Sequence, residues 1–132
     1  ARLEDASFFW MKDNSSNFKD KREELKRVIF HNKLGSMHDK TLRLKKIATF
    51  FSENIKLDNK NQRNLEVSIN ICKNDLVSEL VREFPSLQGI MGFYYSQQSG
   101  FNNVVCSAIR SNIILMVLTI FVHQPNYPKF LL

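Results

Sequence analysis

Among the side chains able to bind divalent metal, the adjacent pair His38-Asp39 stands out, with His31 before it and Asp75 after it as further candidates. Imidazole and carboxylate together suit an ion that activates water against a phosphate ester. His31 precedes His38 by only seven residues, and no histidine lies further upstream, so the first ligand of such a set is poorly separated from the second. Asp39 also has a structural use. In Ser36-Met37-His38-Asp39 the Ser36 hydroxyl can accept from the backbone N–H three residues on while Asp39 reaches back, the pattern of a capping box. An acid there also gains from the helix dipole. His123 has no partner at ligand spacing and receives no role. The stretch Leu87-Gln88-Gly89-Ile90-Met91-Gly92 lacks the lysine of a phosphate-binding loop, and its glycines suit the close approach of two helices.

A second chemistry is carried by charge. Nineteen Lys and Arg against 13 Asp and Glu leave a net charge of +6, which favours encounter with polyanions such as RNA. Lys40, Arg43, Lys45 and Lys46 crowd one short stretch. They read either as the solvated face of a helix or as a row that touches phosphates, and both readings stand at this point. Cys72 and Cys106 are too few and too far apart for a disulfide framework or a metal knuckle, and Cys72 is expected as a buried free thiol.

The elements that must position these groups are helices. Four glycines and three prolines leave long stretches without breakers, and a hydrophobic share of 43% suits a packed core. Leu3, Ala6, Phe9 and Trp10 have helical spacing over 2–13. After the polar Asn14-Ser15-Ser16-Asn17, a charged helix is expected from Phe18 to about Lys33, with Leu25, Val28 and Ile29 on its apolar face and Gly35 ending it. Met37, Leu44, Ile47, Ala48, Phe51 and Ile55 mark the next helix. Leu65, Ile69, Cys72, Leu76, Leu80 and Phe84 mark another, stopped by Pro85. Ser86 is expected to cap a helix through Met91 and Tyr95, and Phe101, Val104, Val105 and Ala108 follow on a last amphipathic turn set. No strand-like alternation competes. The expected fold is therefore all-α, a bundle of five to six helices.

The chain changes character after residue 111. Ile113 to Val122 is a nearly unbroken apolar run, too short to cross a bilayer as a helix. The division expected is 1–111 for the helical region and 112–132 for a divergent tail. The opening Ala1-Arg2-Leu3-Glu4-Asp5 is already charged and does not resemble a signal peptide, so a cytoplasmic setting without membrane association is expected.

Three blocks, in this order and spacing, resemble the beta subunit of bacterial glycyl-tRNA synthetase. They are Arg2-Leu3-Glu4-Asp5-Ala6-Ser7-Phe8-Phe9-Trp10; Leu34-Gly35-Ser36-Met37-His38-Asp39-Lys40-Thr41; and Cys72-Lys73-Asn74-Asp75-Leu76-Val77, running on to Glu83-Phe84-Pro85-Ser86-Leu87-Gln88-Gly89-Ile90-Met91-Gly92 and Tyr94-Tyr95. The resemblance implies a fragment of a glycine–tRNA ligase subunit. Such a fragment would contribute to ATP-dependent glycyl-tRNA formation through tRNA contact or assembly with the alpha subunit, without catalysis of its own. The intact enzyme uses ATP and Mg2+; none is expected in this chain.

The matched region is similar to the family's HD-like helical domain, so His38, Asp39 and Asp75 would be vestiges of an HD metal set. Lys40, Arg43, Lys45 and Lys46 would be the tRNA-contacting residues. Two alternatives accompany this reading. One is a degenerate HD-type metal-dependent phosphohydrolase. The other, suggested by the tail, is a non-functional product of a decayed gene.

Overall fold

A computed structural model of the chain describes residues 2–111. The apolar run from Ile113 and the lone His123 lie outside the described residues. The expected all-α architecture is present. The helices are α1 (Arg2–Asn14), α2 (Lys21–Glu24), α3 (Met37–Ile55), α4 (Asn59–Ile71), α5 (Glu79–Glu83), α6 (Ile90–Gln98) and α7 (Asn103–Ser111), with several 3-10 turns between them. Splitting of two expected helices raises the number of helical segments above the five or six anticipated.

The first split replaces the helix expected over Phe18–Lys33. A 3-10 turn at Phe18–Asp20, the single turn of α2 and a second 3-10 turn at Leu25–Arg27 give way to an antiparallel hairpin of β1 (Ile29–His31) and β2 (Gly35–Ser36). Val28-Ile29-Phe30 is a run of β-branched and aromatic residues, which prefer extended backbone. Val28 already adopts φ −95°, ψ 113°. Ile29, read as part of a buried face, is 75% exposed. Gly35 therefore belongs to the hairpin and does not terminate a helix.

The second split breaks the helix expected from Leu65 to Phe84 between Ile71 and Ser78, where a 3-10 turn spans Asn74–Val77. Ser78 is extended (φ −74°, ψ 152°) and caps α5 through Val81 N–H. Pro85 does end α5, but Ser86 sits in another 3-10 turn and α6 starts after Gly89.

The main core gathers Phe18, Ile71, Cys72, Leu80, Val81, Met91, Tyr95, Val105 and Ile109, with Ala6, Phe9 and Trp10 of α1 laid against it. Leu3, expected on that same face, is 84% exposed. Trp10 stacks on Tyr95 with ring centroids 5.3 Å apart. A smaller cluster of Leu25, Met37 and Val77 lies under the hairpin. Both cysteines are buried free thiols, and burial pushes the Cys72 thiol up to about 11.

Short helices need their first N–H groups satisfied, because those groups have no partner inside the helix. In α5 the acceptor comes from far away. Asp13, at the end of α1 and 4% exposed, accepts from Glu79 N–H (2.8 Å) and Leu80 N–H (3.2 Å), and also from the Tyr95 hydroxyl. Burial, and then this carboxylate, hold the Tyr95 hydroxyl well above the usual phenol range, so it stays a donor. Asp13→Ala strands three donors, and we expect it to lower stability by about 3 kcal/mol. Tyr95→Phe removes a single donor and should cost about 1 kcal/mol. Urea unfolding checks both; equal midpoints for the wild type and Asp13→Ala would contradict the assignment.

Candidate functional site

The structure sorts the candidate residues into three places. His31, His38 and Asp39 line one open groove of about 510 Å3 beside the hairpin, together with Lys26, Ile29, Asn32, Gly35 and Ser36. Within it, His31 Nδ1 accepts from Lys33 N–H (3.1 Å). The capping box forms as the sequence suggested: Asp39 N–H donates to Ser36 Oγ (3.2 Å) and Ser36 N–H donates to Asp39 Oδ2 (2.9 Å). Those donors from Ser36 hold the exposed Asp39 carboxyl below its usual range.

Asp75 is elsewhere. It is fully buried (0% exposed) beneath the start of α6, where its Oδ2 accepts from Gly89 N–H (2.7 Å) and Gly92 N–H (3.0 Å). Gly89 at the N-cap has no side chain with which to cap α6, and Asp75 supplies the acceptor in its place. Both glycines of the 87–92 stretch now have reasons. Gly89 takes φ +84°, and a Cβ on Gly92 would lie 2.8 Å from Ile109 Cγ2 of α7 and 3.0 Å from Asp75 Oδ2. Burial raises the Asp75 pKa, opposed first by those two N–H donors and then by the Lys73 charge.

An HD-type metal set would need His38, Asp39 and Asp75 around one ion. Its carboxylates are separated by environment: Asp39 is exposed and bonded to Ser36, while Asp75 is buried with Oδ2 held by two amides and Oδ1 without a partner. Among the described residues no group of three or more His, Cys, Asp or Glu side chains could hold a metal ion. His38 and Asp39 in the groove and Asp75 in the interior therefore do not assemble around one ion among the described residues.

The four cations of α3 divide as well. Lys40, Arg43 and Lys46 step by three along one stripe, as helical geometry requires. Lys40 lies over the Phe30 ring (4.1 Å to the centroid) and Arg43 Nη1 donates to Leu34 O (2.9 Å), so both lean on the hairpin. Burial, then the charges of Lys73 and Arg43, lower the Lys40 pKa. Lys46 is exposed. Lys45 is also exposed but borders a different pocket, toward α4, with Lys19 and Arg22. The convergence of residues 19, 22 and 45 had no sequence signal, because it depends on how the broken 18–27 segment folds back onto α4. Asp13 was equally silent, since it reads as an ordinary acid near the end of α1.

The raised Asp75 pKa fixes the sign of a pH effect. The folded protein holds this proton more tightly than the unfolded chain, so stability falls as pH rises from the ordinary aspartate range through the raised folded value. Asp39 works in the opposite sense: its contribution is present above the ordinary range and is lost as pH falls through its depressed value. Asp75→Asn keeps an oxygen for the two amides and should flatten the first effect. Asp75→Ala strands both amides and should cost about 2 kcal/mol at neutral pH. Unfolding midpoints over a pH series distinguish these outcomes; an unchanged slope in Asp75→Asn would refute the assignment.

Comparison with known proteins agrees with the blocks noted above. The family model described as glycyl-tRNA synthetase beta subunit matches residues 1–115. A glycine–tRNA ligase beta subunit of Syntrophomonas wolfei is 45% identical over 109 residues, covering 83% of this chain and 16% of that protein. One from Acidithiobacillus ferrooxidans is 41% identical over 114 residues, covering 86% of this chain and 16% of its own length. One from Thermotoga maritima is 38% identical over 112 residues, covering 85% and 17%. The chain thus spans about a sixth of the length of these relatives. No described helix is long and apolar enough to cross a membrane. With its capped helices and glycine contacts falling inside the matched blocks, the chain belongs to the glycyl-tRNA synthetase beta subunit family.

Proposed function

We propose that this chain serves a glycine–tRNA ligase as a non-catalytic segment that contacts tRNA, in a cytoplasmic enzyme whose alpha subunit, ATP and Mg2+ supply the ligation chemistry. The observation that carries this reading is the cationic stripe of α3. Lys40, Arg43 and Lys46, with Lys45 beside them, form no ion pair among the described residues, and Lys45 and Lys46 are exposed. Cations left without acids keep a positive field outside the molecule, and a phosphate backbone answers that field whatever its sequence. The burial of two carboxylates supports the non-catalytic part: Asp13 and Asp75 are 4% and 0% exposed, and each accepts from backbone amides that start a helix.

A second reading, subunit assembly, is favoured by α1, where Leu3 (84%), Phe8 (62%) and Met11 (69%) are exposed. Monomeric surfaces seldom leave several large apolar side chains uncovered on one helix, and contact with another part of a larger protein would cover them.

Gel-shift titration against tRNA(Gly) at two salt concentrations tests the leading reading. Binding at low salt that weakens with a log–log slope of about −0.7 to −0.9 per phosphate contacted is expected, and Arg43→Glu with Lys46→Glu should reduce that slope by about 2. No binding at low salt would eliminate RNA contact by this chain.

A further inference from the structure

The pocket of about 480 Å3 between α2, α3 and α4 is lined by Lys19, Arg22, Lys45, Val67, Asn70, Ile71 and Phe101. Its three cations come from separate segments: Lys19 from the 3-10 turn before α2, Arg22 from α2 and Lys45 from α3. No acid is among the lining residues, and none of the three cations is in an ion pair among the described residues. Glu66 borders the adjoining α3–α4 crevice with Lys45, but not this pocket.

Bringing three like charges to one concavity is unfavourable unless something negative sits between them. The walls sharpen the point. Val67, Ile71 and Phe101 are apolar and partly or fully buried, and a low-dielectric wall strengthens the field of charges at its rim. Two of the cations are also held in place. Arg22 Nη1 donates to Asn70 O (3.2 Å), leaving the rest of its guanidinium fork for a ligand, and Lys19 Nζ lies 5.3 Å from the centroid of Phe101. Fixed donors lose less freedom on binding than free ones. The volume falls within the range of about 300–1,000 Å3 typical of small-ligand clefts.

We infer that this pocket binds a phosphate group, through Lys19, Arg22 and Lys45 over an apolar floor. The occupant favoured by the charge of the molecule is a backbone phosphate of RNA, and in that respect the inference rests on the tRNA-contact reading; a free phosphate compound shares the same chemistry. Lys45 is then a separate contact from the Lys40, Arg43 and Lys46 stripe.

The test uses the full 132-residue chain and two probes, inorganic pyrophosphate and tRNA(Gly). Amide NMR shifts should saturate with pyrophosphate at Asn70, Ile71 and Phe101. Lys45→Glu should abolish this saturation, while Lys60→Glu, the same charge change on an exposed lysine of α4 outside the pocket, should retain it. With tRNA(Gly), Lys45→Glu should weaken binding about tenfold and reduce the salt slope by about 1, and Lys60→Glu should change it less than about threefold. Unchanged urea midpoints establish that both variants are folded. Absence of saturation, or equal loss in the two variants, would overturn the pocket even if tRNA still bound. Saturation by pyrophosphate with tRNA affinity indifferent to Lys45→Glu would uphold the phosphate site, assign it to a free ligand and remove RNA from it.

Discussion

Two buried carboxylates set the frame on which the rest of this molecule hangs. Helices α5 and α6 are short, and their first amides face the interior, where water cannot satisfy them. Asp13 meets that need for α5 from the far end of α1, and Asp75 meets it for α6 from a 3-10 turn. A carboxylate is well suited to the task, because it accepts several bonds and its charge is favoured at the positive end of a helix. Ser36, Asp58 and Asn102 do the equivalent locally for α3, α4 and α7. The two long-range caps differ in that they fix tertiary positions: α1 against α5 and Tyr95, and the 72–77 segment against α6.

That use of Asp75 sets it apart from His38 and Asp39, so the His-Asp-Asp pattern does not converge on one place among the described residues. Oδ2 of Asp75 is shared between two amides, and its Oδ1, though unpartnered, is buried apart from the open groove that holds His38 and Asp39. The sequence pattern is compatible with either role. The neighbourhood decides, and the glycines are its visible half. Positive charge is organised differently, at the surface. One stripe on α3 leans on the hairpin through Phe30 and Leu34, and a second group gathers where the 18–27 segment meets α4.

Local signals in the sequence were reliable where a few neighbouring residues decide the outcome. Ser36 and Asp39 form the capping box, Pro85 ends α5, Cys72 is buried, and Ala6, Phe9 and Trp10 face the core. Apolar periodicity failed where it was continuous but the backbone was not. Leu65 to Phe84 keeps helical spacing in sequence although the 3-10 turn over Asn74–Val77 and the extended Ser78 interrupt the helix. Val28-Ile29-Phe30 continues a helical apolar spacing although its residue types favour extended chain, and in the structure Ile29 is exposed on a strand. Contacts such as Asp13 to Glu79 or Lys19 with Lys45 depend on the whole fold, and no short window contains them.

The distance along the chain between Asp13 and its partners has a bearing on synthesis. The carboxylate lies 66 residues before Glu79 and 82 before the Tyr95 hydroxyl. Trp10 gains its stacking partner Tyr95 only after α6 has been synthesised. Long loop closures of this kind slow folding and leave apolar surface uncovered while they are pending. Within this segment α1 precedes the partners of Asp13, so its long-range contacts close only once α5 and α6 are in place.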